Sequence, residues 1–102
     1  MAKIGLITIT YNSADILTPF LDCVWNQTYD NIILYVIDNA SSDNTLKILS
    51  LENDNRLVVI KNKENVGVAK ANNQGIIQAK NDNCDCMLII NNDFAIINRF
   101  YK

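Results

Sequence analysis

Three apolar runs in the sequence each end on a cluster of hydroxyl, amide or carboxylate side chains. The runs and clusters are residues 4–9 before Thr10-Tyr11-Asn12, residues 32–37 before Asp38-Asn39, and residues 87–90 before Asn91-Asn92-Asp93. Such side chains can hydrogen-bond to a nucleoside or coordinate a hard divalent cation. Continuous apolar runs are typical of parallel strands, and open α/β sheets bind ligands beyond the carboxyl ends of their strands. The sequence therefore predicts a ligand site built from these clusters.

Asp93 is the strongest candidate for a metal ligand. Mg²⁺ and Mn²⁺ take oxygen ligands, typically one or two carboxylates together with substrate phosphates and water. One aspartate beside the amide oxygens of Asn91 and Asn92 would hold such an ion once a diphosphate completed the coordination. The alternative is a structural loop, because an Asn-Asn-Asp turn commonly follows a strand.

Asp38 and the residues after the first apolar run offer contacts for a nucleoside. A carboxylate at a strand end can accept hydrogen bonds from a base or a ribose, or it can receive a phosphoryl group. Tyr11 can lie against a base ring, with Thr10 and Asn12 hydrogen-bonding beside it. The alternatives are a capped turn at Asp38 and a core-edge position for Tyr11. The polar residues that follow are explained as well by a turn, in which short polar side chains hydrogen-bond to the nearby backbone, as by a ligand site. They are Ser41, Ser42 and Asp43.

Several kinds of chemistry are excluded by what the sequence lacks. It contains no histidine, which removes Ser/His/Asp catalysis, Cys/His catalysis and every imidazole metal site. It has no Walker A and no G-x-G-x-x-G motif, so neither a P-loop nor a dinucleotide site is predicted. The net charge is −2 without a cluster of Lys or Arg, so no nucleic-acid partner is expected. The cysteines lack CxxC spacing and are predicted to be reduced, buried thiols: Cys23, Cys84 and Cys86.

Helical patterns separate the apolar runs. Apolar residues recur at helical spacing from Ile16 to Trp25, and this helix begins either at Ala14 or, with Thr18 as its cap, at Pro19. In the first case Pro19 lies inside the helix, where a kink is expected.

Two more helices and a short strand are predicted further along the chain. The second helix follows Ser42 or Asp43 as its cap, a strand covers residues 57–60, and the third helix follows Gly67. Strands that alternate with helices of this length predict right-handed βαβ crossovers. The predicted fold class is therefore α/β, with a mainly parallel sheet and flanking helices.

A chain of 102 residues has room for one domain with a single core. The first apolar run is too short for a secretory signal, and no segment approaches the roughly 20 apolar residues of a membrane span. We therefore expect a cytoplasmic protein, which a partner or a further segment could hold at the inner face of a membrane. Apolar residues after Asp93 have few predicted partners, so we expect the tail either to pack back on the core or to mediate self-association as a homo-oligomer. They are Phe94, Ile96, Ile97, Phe100 and Tyr101.

An ordered set of short motifs resembles family 2 glycosyltransferases over nearly the whole chain. The motifs are Ile7-Thr8-Ile9-Thr10-Tyr11-Asn12, then Gln27-Thr28-Tyr29, then Val36-Ile37-Asp38-Asn39-Ala40-Ser41-Ser42-Asp43, then Asn65-Val66-Gly67 with Ala69, Asn72-Asn73 and Gly75-Ile76, then Leu88-Ile89-Ile90-Asn91-Asn92-Asp93. Their order and spacing make the resemblance specific. It implies a Rossmann-like GT-A nucleotide-binding half, a nucleotide-diphosphate sugar as donor, and a divalent metal, Mn²⁺ or Mg²⁺.

The resemblance also implies a role for each matching residue. The segment Thr10-Tyr11-Asn12 would line the nucleotide, and Asp38 would contact the base. Asp93 matches the last aspartate of the family's DxD motif, which coordinates the metal. The residues implied to bind the nucleotide are Thr10, Tyr11, Asn12, Asp38, Asn72, Asn91 and Asn92.

Asn91 departs from the family pattern, since many relatives have an aspartate at this position. Together with the Asn72-Asn73 pair, this form is similar to the rhamnosyltransferase-type branch. That similarity implies a dTDP-linked donor, with a UDP-linked donor as the alternative. The implied acceptor is a saccharide or a lipid-linked acceptor.

Family members continue into an acceptor-binding half that carries the general base, and no residue after Asp93 can be assigned that role. We therefore expect residues 1–102 to form a single, truncated nucleotide-binding domain that binds nucleotide but transfers sugar poorly. Two other functions stay open: a receiver-like module phosphorylated on Asp38, and a metal-free, inactive binding domain. The segment Thr10-Tyr11-Asn12 argues against the receiver, which has an acidic pair after its first strand.

Overall fold

The computed structural model describes residues 1–92, in which strands alternate with helices. The elements are β1 (Ile4–Thr10), α1 (Ala14–Trp25), β2 (Ile32–Asp38), α2 (Thr45–Ser50), β3 (Leu57–Lys61), α3 (Val68–Asn81) and β4 (Cys86–Ile89). None of these helices is long and apolar enough to cross a membrane. Asp93 and the apolar residues after it lie outside the described residues, so the metal role and the self-association predicted for them stay predictions.

The strands form one parallel sheet in the order β3-β2-β1-β4. Ile4 at the start of β1 lies between Ile32 of β2 and Cys86 of β4. The chain moves outward through β2 and β3 and then crosses back to β4, so the strand order reverses at β1. With right-handed crossovers, α1 and α2 cover one face of the sheet and α3 covers the other. The predicted α/β fold, a parallel sheet with flanking helices, is confirmed.

Each face of the sheet carries its own hydrophobic core, because successive side chains of a strand point to opposite faces. The buried residues of the α1 and α2 face are Leu6, Leu17, Phe20, Leu21, Val24, Ile32, Leu34, Val36 and Leu49. Those of the α3 face are Ile7, Tyr35, Ile37, Ala71 and Ala79. The fully buried residues that α3 contributes are all small, so α3 lies close to the sheet.

The helix starts differ in detail from the predicted ones. Of the two starts predicted for α1, the earlier is correct, because the helix includes Pro19. Helix α2 begins at Thr45 with Asn44, not Ser42 or Asp43, at its N-cap position, although Asp43 supplies the capping side chain as predicted. The physical reason is that the Asp43 carboxylate reaches the backbone N–H of Thr45, at 2.9 Å, from one residue further back.

Strand β4 is only partly covered by the described residues. It pairs with β1 on one side, and Leu88 and Ile89 are 50% and 57% exposed. All three cysteines are free, as predicted, but Cys86 is exposed and Cys23 and Cys84 are only partly buried. The prediction that all three are buried was therefore wrong. Cys86 is exposed because it opens a strand that has a neighbour on one side only within residues 1–92.

Gly75 allows α3 to approach the sheet, and its replacement tests this close packing. A Cβ atom here would lie 2.6 Å from Ile7 Cγ2 and 2.9 Å from Ile37 Cδ1. We expect Gly75→Ala to lower the free energy of unfolding by about 1–2 kcal/mol, because overpacking outweighs the gain in helix propensity. Urea denaturation measures the change. Asn73→Ala, at an exposed position of α3, should change stability by less than about 0.5 kcal/mol. Wild-type stability of Gly75→Ala would contradict the close packing.

Candidate functional site

A cleft of about 350 Å³ opens beside the carboxyl ends of β1 and β4 and the first turns of α3. Its lining residues are Thr8, Ile9, Val68, Asn72, Ile89, Ile90 and Asn91. The strand order reverses between β1 and β4, and in open α/β sheets such a reversal leaves a crevice in which ligands bind. The cleft therefore lies where the fold itself leaves room for a ligand.

Asn72 places an unpaired polar atom in this cleft. Its Oδ1 atom is buried and has no hydrogen-bond partner within residues 1–92. A buried acceptor without a donor costs roughly 1–3 kcal/mol, so such atoms are uncommon unless a ligand or water serves them. The walls of the cleft include the apolar side chains of Ile9, Val68 and Ile89. The cleft thus combines apolar surface with a lining residue, Asn72, whose buried side-chain oxygen has no partner within residues 1–92.

Asp38 ends β2 opposite Thr10 at the end of β1, and its side chain has no exposed surface. The hydroxyl of Thr10 donates to Asp38 Oδ1 at 2.6 Å. The backbone N–H of Ser41 donates to Oδ2 at 2.9 Å, and the Ser41 hydroxyl donates to Oδ1 at 2.6 Å. Asp38 therefore holds the β2–α2 loop against the end of β1. Its contact with a base stays a prediction.

Asn12 joins the loops that follow β1 and β2. Its backbone N–H donates to Ser41 Oγ at 2.8 Å, and its Oδ1 accepts the backbone N–H of Ser42 at 2.8 Å. Its φ of 51° lies in the left-handed region, which asparagine tolerates better than most residues. Thr10 is buried, whereas Tyr11 is 55% exposed. Tyr11 and the exposed Asn12 therefore present side-chain surface to a ligand, whereas Thr10 does not.

Asn91 and Asn92 follow β4 in different environments. Asn92 is buried, and its Nδ2 donates to Thr8 Oγ1 at 3.0 Å and to the Ile9 carbonyl at 2.6 Å. It therefore fastens the end of β4 to β1, while the exposed Asn91 lines the cleft. Within residues 1–92, no three Asp, Glu, Cys or His residues are grouped so that they could hold a metal ion. Asp93, the predicted ligand, lies outside that range.

Asn39 and Asp43 make positioning contacts that the sequence did not reveal. Asn39 Oδ1 accepts the Asn62 side-chain N–H at 3.0 Å and the Val66 backbone N–H at 3.4 Å, which ties the end of β2 to the loop before α3. Asp43 accepts backbone N–H groups at the starts of both α1 and α2. The signal that could have identified them is the run of short polar residues after β2. Several of their partners are distant in the sequence, so spacing alone could not show them.

The family model described as glycosyl transferase family 2 matches residues 6–100, which include all of the candidate site. The chain belongs to this family. The match supports the resemblance, because the family model and the short motifs point to the same family. It establishes the family and not the rhamnosyltransferase-type branch.

Relatives of this family 2 chain are longer bacterial enzymes. It is 32% identical over 80 residues to the UDP-Glc:alpha-D-GlcNAc-diphosphoundecaprenol beta-1,3-glucosyltransferase WfaP from Escherichia coli, covering 78% of this chain and 32% of that protein. It is 32% identical over 85 residues to a poly-beta-1,6-N-acetyl-D-glucosamine synthase from Staphylococcus aureus, covering 82% of this chain and 21% of that protein. The chain therefore spans about a third or less of the length of these relatives.

Two ligand-bound structures share the fold of this family 2 chain. S. aureus TarS 1-349 in complex with UDP has a TM-score of 0.75 and 27% identity, covering 89% of this chain and 27% of that one. The mannosyltransferase PcManGT from Pyrobaculum calidifontis, in complex with GDP-Man and Mn²⁺, has a TM-score of 0.69 and 29% identity, covering 76% and 24%. The predicted Rossmann-like GT-A fold is thereby confirmed.

Gly67 offers a test of the backbone path into α3. Its φ of 86° and ψ of 169° lie in a region that is essentially reserved for glycine, and no atom lies within 4 Å of a Cβ built there. We expect Gly67→Ala to lower the free energy of unfolding by about 1–2 kcal/mol through backbone strain alone. Thermal unfolding measures the change. Lys63→Ala, also exposed and in the same loop, should stay within about 0.5 kcal/mol of the wild type. An unchanged Gly67→Ala would show that alanine adopts this conformation freely.

The Asp43 carboxyl offers a test by pH. The Thr45 hydroxyl is the main cause that holds the pKa of Asp43 below its usual value. Desolvation, the next largest effect, raises this pKa, and the backbone N–H groups of Thr45 and Ala14 lower it further. A carboxyl group whose pKa is lower in the folded state stabilises that state at any pH above its unfolded-state pKa, which is near 4. This contribution is lost as the pH falls through the folded-state pKa. We expect the urea midpoints of the wild type and Asp43→Asn to differ at neutral pH and to converge below about pH 4. A difference that persists in stronger acid would refute this role.

Proposed function

We propose that the chain binds a nucleotide-diphosphate sugar at the carboxyl edge of the sheet, for transfer of the sugar to an acceptor hydroxyl. The observation that carries this proposal is the cleft at the strand-order reversal, where Asn72 Oδ1 is buried without a partner. A nucleotide sugar offers hydroxyl and N–H donors for this acceptor. Membership of family 2 and the neighbours that hold UDP or GDP-Man support the same class of ligand.

Tyr11 and Asn72 are the side chains that we assign to direct contact with the nucleotide. The exposed ring of Tyr11 lies against the base, and Asn72 Oδ1 accepts a hydrogen bond from the nucleotide. Asp38 already accepts hydrogen bonds from Thr10 and Ser41. We therefore assign Asp38 to holding the loops around the base, with a direct contact as the alternative.

The donor that we propose is a dTDP-linked sugar, with a UDP-linked sugar as the alternative. The dTDP assignment is supported by Asn91 and the Asn72-Asn73 pair, which resemble the rhamnosyltransferase-type branch. The UDP alternative is supported by the names of TarS in complex with UDP and of WfaP. The name of WfaP also includes a diphosphoundecaprenol-linked sugar, which supports a saccharide or lipid-linked acceptor. A cytoplasmic place at the inner face of a membrane stays a prediction from the sequence.

A divalent cation, Mn²⁺ or Mg²⁺, is part of the proposed site. Mn²⁺ accompanies GDP-Man in the PcManGT structure. In this chain we assign the ion to Asp93 and to the side-chain oxygen of Asn91, which lines the cleft. Carboxylate and amide oxygens suit a hard cation, whose charge would offset that of the donor diphosphate. Asn92 is left out of this assignment because its amide group bonds to β1.

A phosphoacceptor role for Asp38 is the weaker alternative. Its side chain has no exposed surface, whereas a phosphoryl group must reach the carboxylate from solvent. Residues Thr10-Tyr11-Asn12 stand where a receiver has its acidic pair. An inactive, metal-free binding domain is the other alternative. It differs from the proposed domain in one measurable property, because a chelator would not weaken its binding of nucleotide.

Calorimetric titration of the purified chain with dTDP, UDP and GDP, each with Mn²⁺, tests the proposed function. We expect a pyrimidine nucleotide to bind, and binding to weaken at least tenfold with chelator or in Asp93→Ala, because the diphosphate then lacks its counter-charge. Asn72→Ala should weaken binding roughly tenfold by removing one hydrogen bond to the nucleotide. No binding at millimolar nucleotide would overturn the proposal.

Asn73→Ala is the matched control for Asn72→Ala, since it removes the same side chain from an exposed neighbouring position of α3. Its dissociation constant should stay within about twofold of the wild type. Binding that resists both chelator and Asp93→Ala would instead favour the metal-free binding domain.

Sugar transfer is a separate test of the isolated chain. Transfer needs a general base beside the acceptor hydroxyl, and none of the assigned residues has that role. We expect the purified chain to bind nucleotide and to transfer sugar poorly. Product formation from a dTDP- or UDP-linked sugar and a saccharide acceptor, followed by mass spectrometry, would contradict this expectation.

A further inference from the structure

A single carboxylate serves the N-termini of both helices on one face of the sheet. Asp43 Oδ2 accepts the backbone N–H of Ala14 at 3.1 Å, and Oδ1 accepts the backbone N–H of Thr45 at 2.9 Å. These are the first residues of α1 and α2. The residues at the two N-cap positions, Ser13 and Asn44, make no side-chain capping bond. Asp43 therefore does for both helices what an N-cap side chain usually does for one.

Thr45 extends this contact to the residue before α1. Its hydroxyl donates to Asp43 Oδ1 at 2.5 Å and accepts the backbone N–H of Ser13 at 2.9 Å. Thr45 has no exposed surface, so its hydroxyl is shielded from water, whereas Asp43 itself is exposed. Two consecutive N–H groups at the start of α1 thus depend on Asp43, one directly and one through Thr45.

The loop between β1 and α1 is held from two sides by the loop after β2. Asp43 holds the end that leads into α1. Asn12 holds the middle through its bonds with Ser41 and Ser42. Tyr11, the exposed residue proposed to lie against the base, directly precedes Asn12 in the same loop. The position of its ring therefore depends on how firmly the two loops are joined.

We propose that Asp43 is a positioning residue of the nucleotide site, which locks the β1–α1 loop to the β2–α2 loop; this inference rests on the proposed function. The carboxylate does not touch the nucleotide. It holds Tyr11 and the Thr10–Asp38 pair in place before the nucleotide arrives, so binding does not have to order the loops. Its negative charge also occupies the start of α1, where dinucleotide-binding folds hold phosphate, and so directs a diphosphate towards the cleft beside β4.

The test compares Asp43→Asn with the matched control Asp15→Asn. Asp15 is exposed in the first turn of α1, so its replacement removes the same charge near the same helix start and leaves the lock intact. Calorimetry gives the dissociation constants for UDP and dTDP with Mn²⁺ at a temperature where circular dichroism shows each variant folded. Amide hydrogen exchange by NMR reports on the lock itself, at the backbone N–H groups of Ser13, Ala14 and Thr45.

We expect Asp43→Asn to weaken nucleotide binding roughly tenfold and to accelerate exchange of the three amides, since one capping acceptor and its charge are lost. Asp15→Asn should leave the dissociation constant for the nucleotide and the exchange rates of the three amides within about twofold of the wild type. Asp43→Glu, which keeps the carboxylate, should recover part of the affinity. An Asp43→Asn chain that melts at a lower temperature but binds nucleotide as tightly as the wild type would overturn the proposal.

Two further outcomes separate this inference from the proposed function. If the wild type binds no nucleotide, the proposed function fails, and amide exchange alone decides on the lock. Faster exchange in Asp43→Asn then supports the lock, and unchanged exchange overturns it. If Asp43→Asn does not fold, Asp43→Ser, which retains one acceptor oxygen, replaces it with the same expected results.

Discussion

Burial of the Asp38 carboxylate is the constraint on which the carboxyl edge of the sheet depends. A carboxylate without exposed surface is costly unless donors surround it. Asp38 has such donors because Thr10 lies opposite it and Ser41 turns back over it. That turn takes Ala40 to a φ of 64°, which costs an alanine about 1–2 kcal/mol. The hydrogen bonds to the carboxylate offset this cost, so the loop path and the strand register are set together.

The two sides of the carboxyl edge differ in how firmly they are built. Between β1 and β2, polar bonds run outward from Asp38 through Ser41 to Asn12, so that side is ordered without a ligand. Beside β4, Asn92 fastens the strand end to β1, and the cleft keeps apolar walls and the unpaired oxygen of Asn72. A ligand therefore meets a preformed surface on the first side and one unsatisfied acceptor, Asn72 Oδ1, on the second. This asymmetry suits a ligand with a rigid base at one end and hydrogen-bond donors, such as sugar hydroxyls, at the other.

The sequence predicted the strands because a strand buried on both faces is mostly apolar, as β1 and β2 are. It did not predict that β4 lies beside β1, since the alternation of strands and helices does not say which edge a new strand joins. The direction in which the Asn92 side chain points depends on the residue at which β4 ends. The role of Asp43 depends on Ala14, 29 residues earlier in the chain. Local spacing shows a turn at Asp43 and a cap for the helix that follows, but not the bond to Ala14, because folding alone brings that partner near.

The absence of a glycine-rich loop and the presence of Asp43 are two aspects of one arrangement. In dinucleotide-binding folds the phosphates lie at the start of the helix after the first strand, and glycines let the backbone approach them. Here β1 ends on Thr10-Tyr11-Asn12, and the protein's own carboxylate already accepts the first N–H of α1. A diphosphate that cannot bind there needs its counter-charge elsewhere. In the proposed function, a cation held by Asn91 and Asp93 would supply that charge, so the absence of a phosphate-binding glycine loop and the proposed metal share one physical explanation.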